Sequence, residues 1–136
     1  MVELEAIRGY LQGCPALQDI PFQVDYLSKR PGLGGIFPEG AKVLSRRQDI
    51  LGGEELRLRE QYRIRLRLPH MAEGDNSQNA ARLAALQRWA LDAELPRFGE
   101  RQSAAIEKGR LVGAMGQGLG AYEAVLTVEY TVRVGA

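Results

Sequence analysis

Between Leu56 and Leu68 the chain carries Arg57, Arg59, Arg63, Arg65 and Arg67, all at odd positions. Guanidinium groups are planar, permanently charged donors that match carboxylates and phosphates, so a row of them is chemistry for holding anions. Cations about 7 Å apart along a strand repel one another by roughly 0.6 kcal/mol per neighbouring pair even in bulk water. Something must offset that repulsion, and two sources are open. Glu123 and Glu129, which share one face of a later segment, suit a cross-strand ladder in type and spacing. The other source is external: nucleic-acid phosphate, or an acidic patch on a partner subunit. Arginine outnumbers lysine 15 to 3, which favours ordered planar contacts over mere solubility.

Other groups offer less. The glycine-rich stretch Gly113 to Gly120 lacks the Gly-Lys-Ser/Thr of a phosphate loop and no helix follows it, so it reads as a hairpin tip. Gly32, Gly34 and Gly35 read as part of a surface loop. His70 is the only histidine and Cys14 the only cysteine, which excludes an internal disulfide, a Cys/His zinc site and a Cys-His or Ser-His nucleophile pair within one chain. At the end of a strand, His70 reads as a solvated loop residue. Asp49, Glu54, Glu55 and Glu60 stand among arginines and read as ion-pair partners rather than as acid-base or metal-binding groups. Trp89 reads as a core or interface anchor. Catalytic and metal sites are expected to be none.

The element that positions the arginines is a strand. Leu56, Leu58, Tyr62, Ile64, Leu66 and Leu68 fall on the face opposite them, so one sheet face makes core and the other displays charge. A parallel sheet buried on both faces is thereby excluded. Val2 to Leu11 spaces its apolar residues as a short amphipathic helix ending before Gly13 and Pro15. Phe22, Val24 and Tyr26 alternate as a short strand, Lys29 to Gly40 reads as loop, and Ala41 to Asp49 resumes an extended pattern. Gly52-Gly53 supplies a hairpin turn into the arginine strand, which ends at Pro69. Glu73 to Ser77 reads as a polar loop in which Asp75, Asn76 or Ser77 caps a helix over Gln78 to Glu94. That helix carries a stripe of Ala80, Leu83, Leu86, Ala90 and Ala93, widened by Trp89 and Leu91. Ser103 to Met115 reads as one strand, Gly116 to Gly120 as the tip, and Tyr122 to Val134 as a final long strand. The pattern predicts an α+β chain, residues 1–136 as one domain, with a single antiparallel sheet carrying two helices on one face.

Composition is that of an ordinary globular protein: 136 residues, 45% apolar and 26% charged. With 18 basic against 17 acidic residues, a nucleic-acid role has to rest on local charge placement. No apolar run reaches a membrane span, and the acidic amphipathic start is unlike a signal peptide, so synthesis in the cytosol with no membrane partner is expected.

The layout also resembles a family. The opening helix, the Pro/Gly-rich stretch, the segment Val43 to Gly53 and the long alternating strand after it are similar to the tail terminator, or minor capsid, proteins of long-tailed bacteriophages and prophages. Gly74 to Ser77 leading into the helix that holds Trp89-Ala90, and the closing Ala121 to Tyr130, resemble that family's later elements. The resemblance implies a structural subunit without cofactor or catalytic residues, forming a hexameric ring on the end of the tail tube. Its partners would be itself, the tail tube protein and the head connector protein, with DNA passing through the channel, and its place the virion tail or neck. It transfers no site residue by residue. A small nucleic-acid-binding module using the arginine face ranks second and a small-molecule enzyme third.

Overall fold

The computed structural model describes residues 3–25, 27, 32–70, 73–107, 109–116 and 118–135. Helix α1 (Leu4–Gln12) is followed by a 3-10 turn (Pro15–Leu17) and strands β1 (Phe22–Val24), β2 (Gly34–Gln48) and β3 (Glu54–Pro69). Helix α2 (Glu73–Asp92) leads to β4 (Glu100–Ile106), β5 (Arg110–Gly116) and β6 (Leu119–Val134). The six strands form one sheet in the order β1-β2-β3-β6-β4, with β5 also paired to β6. Both helices cover one face of that sheet, and the α+β architecture expected from the pattern is present. Among the described residues no helix is long and apolar enough to cross a membrane.

Strand β3 lies at the centre, bonded antiparallel to β2 on one side and to β6 on the other. Tyr62, Ile64, Leu66 and Leu68 are buried with Ala124, Leu126, Val128 and Tyr130 of β6. Ile7, Tyr10 and Leu11 of α1 and Leu83, Leu86 and Ala90 of α2 close the same core, joined by Leu17 and Ile20. Arg82 of α2 reaches back to Asp19 (2.8 Å) and to the carbonyl of Ala16 (3.2 Å). Hydrogen bonding to Arg82 holds the Asp19 carboxyl below its usual range.

Several elements differ from the sequence pattern for identifiable reasons. The sheet is mixed rather than wholly antiparallel, because β1 joins β2 in parallel with Phe22 beside Gly34. Much of the stretch Lys29 to Gly40 is strand, since β2 begins at Gly34; residues 28–31 and Tyr26 lie outside the described residues. Gly34 is there for contact: a Cβ at that position would stand 2.5 Å from the Phe22 ring. Gly40, at φ +133, absorbs the first of two bulges in the β2–β3 pairing. The single strand expected over Ser103 to Met115 is two, broken where Gly109 passes beneath α2; a Cβ there would meet Leu83 at 2.7 Å. Helix α2 starts at Glu73, so Asp75, Asn76 and Ser77 are helical residues and not its cap. Its inward stripe is Asn79, Leu83, Leu86 and Ala90, while Ala80 is exposed and Leu91 is 72% exposed.

Glu60 is the largest departure at a single residue. It lies on the core face of β3, 3% exposed, where its carboxyl accepts hydrogen bonds from Tyr62 (3.2 Å) and Tyr130. Its neighbours in the acidic group do pair as expected, Glu54 with Arg46 and Glu55 with Arg101, whereas Asp49 caps the hairpin turn instead. Burial and Glu60 together push the hydroxyls of Tyr62 and Tyr130 well above the ordinary value, and burial pushes Tyr10 up to about 12.

Beyond Pro38 the β2–β3 hairpin extends as an arm whose β2 side is largely exposed. Its tip is tightly made. Asp49 Oδ1 accepts from the backbone N–H of Leu51 (2.8 Å) and of Gly53 (2.9 Å), and Gly52 takes φ +88. The turn presents Ile50 (102%) and Leu51 (82%) to solvent.

Two outcomes follow from this core. Tyr130→Phe removes a donor to a buried carboxyl and is expected to destabilise the fold by about 1–3 kcal/mol in chemical denaturation, with no change in m-value; an unchanged midpoint would contradict the assignment. Tyr10, Tyr62 and Tyr130 all have raised folded-state values, so the folded chain holds their protons where the unfolded chain has lost them. Their contribution is therefore complete below pH 10 and falls as pH rises toward about 12. Denaturation midpoints measured across that window should drop steadily, and tyrosinate absorbance at these positions should appear late.

Candidate functional site: an arginine ladder and an anion cup

Register decides what the arginine row meets. On β6, Glu129 stands directly across from Arg59 and Glu123 directly across from Arg65. Each carboxylate then serves two guanidiniums. Glu129 reaches Arg59 at 3.1 Å and Arg57 at 3.8 Å, and Glu123 reaches Arg65 at 2.7 Å and Arg63 at 3.4 Å. Arg63 also pairs with Glu39, which the bulge in β2 turns toward it. Between the two glutamates, Gln61 donates to Thr127 (3.3 Å), a neutral rung. Arg65 further lies over the Phe37 ring, 5.3 Å from its centroid. The internal ladder is thus formed, and it accounts for the repulsion that the spacing sets up.

The ladder is partly exposed. Arg57, Arg59, Arg63 and Arg65 keep between 26% and 46% of their side-chain surface, so each pair contributes little by itself, about 0.2–1 kcal/mol. Four arginines of the row, Arg57, Arg59, Arg63 and Arg65, meet three carboxylates, Glu39, Glu123 and Glu129, which leaves this part of the face positive although the chain is near neutral. Arg67, on the same face, shares a shallow cavity of about 250 Å³ with Leu27, Arg65, Ala121 and Glu123.

At the other end of the row the strands gather a cup of about 340 Å³ lined by Ser45, Arg47, Glu55, Arg57 and Arg101. Arg47 is paired with Glu55 across the β2–β3 ladder, but the Glu55 carboxylate is taken by Arg101. Arg101 sits at the bulge of β4 with φ 49, an uncommon backbone conformation for an arginine. Its carbonyl accepts from Arg57 (2.6 Å), which also donates to Thr131 (3.1 Å). Three guanidiniums and a hydroxyl surround one carboxylate, which leaves the cup with a net positive charge. Arg47 and Arg101 were not among the residues singled out from sequence. Bulges reset strand parity at both positions, and the spacing holds no sign of that.

The remaining candidates are structural. His70 is half-buried rather than solvated: its Nδ1 lies 3.3 Å from the Tyr122 hydroxyl, which also receives a hydrogen bond from Asn79 (3.0 Å). Asn79 donates to the Pro69 carbonyl as well (2.8 Å), tying the end of β3 to α2. Trp89 stacks on Tyr10, with centroids 4.6 Å apart, between the two helices. Cys14 is fully buried, and burial raises its thiol above the ordinary value. Among the described residues no three His, Cys, Asp or Glu side chains are grouped to hold a metal ion. Compared with known protein families and with curated proteins, the sequence matches none.

The ladder makes a direct test available. Replacing both acceptors, Glu123→Gln with Glu129→Gln, should lower stability by about 1–2 kcal/mol at low salt and by much less in high salt, because partly exposed pairs are screened. Thermal melts across an ionic-strength series measure it. A salt-independent loss would show that packing, not charge, holds these side chains.

Proposed function

We propose that the chain is a structural assembly subunit of the tail-terminator type, closing into a hexameric ring on the tail tube of a long-tailed phage or prophage. In that role it would meet the tube protein on one side and the head connector on the other, with no cofactor and no catalytic step. Its place would be the neck of the virion.

The observation that carries this reading is the β2–β3 arm. A rigid turn that holds Ile50 and Leu51 fully in water stabilises nothing in the isolated subunit, and apolar groups so displayed are typical of surfaces that become buried on association. The sequence resemblance supplies the particular assembly. The second reading, a nucleic-acid-binding module, is favoured by the excess of arginine on the ladder face and by the cup at its end. In a ring, the same face would suit the channel through which DNA passes.

The reading is tested on Arg59→Gln, Arg63→Gln and Arg65→Gln made together. These side chains point away from the core, so the variant should fold with a loss of only about 1 kcal/mol. Capping of purified tail tubes, scored by electron microscopy, should fail. Normal capping would refute a role of the arginine face in assembly, and failure of the wild-type chain to cap tubes at any concentration would remove the terminator reading. Steeply salt-dependent binding to short DNA by a chain that forms no rings would put the second reading first.

A further inference from the structure

An open apolar groove of about 630 Å³ runs between α1 and the end of α2. Ala6, Gly9 and Tyr10 line it from one helix, and Trp89, Ala93 and Leu95 from the other side. One feature marks it as unfinished. Gly9 leaves its side of the groove bare, with nothing among the described residues within 4 Å of where a Cβ would stand. Tyr10 itself is packed down, its ring buried and, among the described residues, its hydroxyl without a hydrogen-bond partner.

We infer that this groove receives the hairpin tip of a second copy of the chain, with Ile50 and Leu51 as the inserted side chains. The inference rests on the ring-forming reading and names the contact that would build the ring. The tip is complementary in two respects. It offers two adjacent aliphatic side chains on a turn already fixed by Asp49, so little ordering cost remains to be met on binding. Charge agrees as well: Arg47 precedes the tip beside Arg46, which is shared with Glu54, whereas exposed Glu94 lines the groove. Tip and groove are different patches of the same chain, so the contact is head-to-tail, the kind that closes rings.

The test uses the full chain in two variants that each add one cysteine, Leu51→Cys and Gly9→Cys. The native Cys14 is fully buried and does not compete. Mixed under mild oxidant, the two should give a disulfide-linked dimer well above the level either gives alone; equal levels would overturn the inference. Gly9→Trp fills the groove from a position with free space and should keep or raise the melting temperature. That variant, and separately Ile50→Asp with Leu51→Asp, should weaken self-association by about ten-fold or more in sedimentation equilibrium. Association unchanged in both would again overturn it. Cross-linking by a chain that never caps tail tubes would sink the proposed function and leave the contact standing. Capping that survives every one of these variants would do the reverse.

Discussion

A buried carboxyl sets the alignment on which the rest of the molecule depends. Glu60 faces Val128 in the β3–β6 pairing, which places Tyr130 on its diagonal, within reach of a hydrogen bond. Sliding β6 by two residues would keep every side chain on its proper face. It would also keep charge complementarity, since Glu129 would then face Arg57 and Glu123 would face Arg63. Neither amphipathicity nor the ion pairs therefore distinguishes the native alignment from that slip. The hydroxyl of Tyr130 does, because the slip carries it out of reach and leaves Glu60 short of a donor inside the core. Once that alignment is made, the positions of the ladder, the cup and the arm follow from it.

Parity explains both what could be read in the chain and what could not. The alternation of β3 and β6 was legible because each strand has one wet and one dry face, and the same count offered Glu123 and Glu129 as one of two possible partners for the arginines, the other being an external anion. Glu60 could have been placed by that count too: its even number puts it between Leu58 and Tyr62, on the dry side. Its charge suggested ion pairing with nearby arginines, and the structure gives it tyrosines instead. Asn79 is a similar case on α2, a polar residue on the inward stripe with two acceptors waiting for it.

Other features depend on contacts distant in sequence. Gly34, Pro38 and Gly40 have the composition of a loop, but Phe22 needs the missing Cβ of Gly34, and a bulge accommodates the conformation at Gly40. At the break between β4 and β5, Gly109 packs close against Leu83 of α2, and β1 enters the sheet in parallel by a chain path that local propensity does not describe. The cup draws on three strands, two of them bulged, so its composition emerges only when the strands are set side by side.

The central pairing also joins segments far apart in sequence. Strand β2 meets β3 through a tight turn, whereas β3 meets β6 across everything from α2 to β5, from Pro69 with Leu119 out to Glu54 with Val134. Contacts this remote are slow to form, so a nascent chain exposes one edge of β3 until the last strand has been synthesised. A long bare edge is ordinarily an invitation to misassociation. Here the face beside that edge carries a row of like charges, which repels the matching row of a second β3 aligned against it and accepts the strand that brings Glu123 and Glu129. The ladder that contributes modestly to the finished fold thus guards the unfinished one.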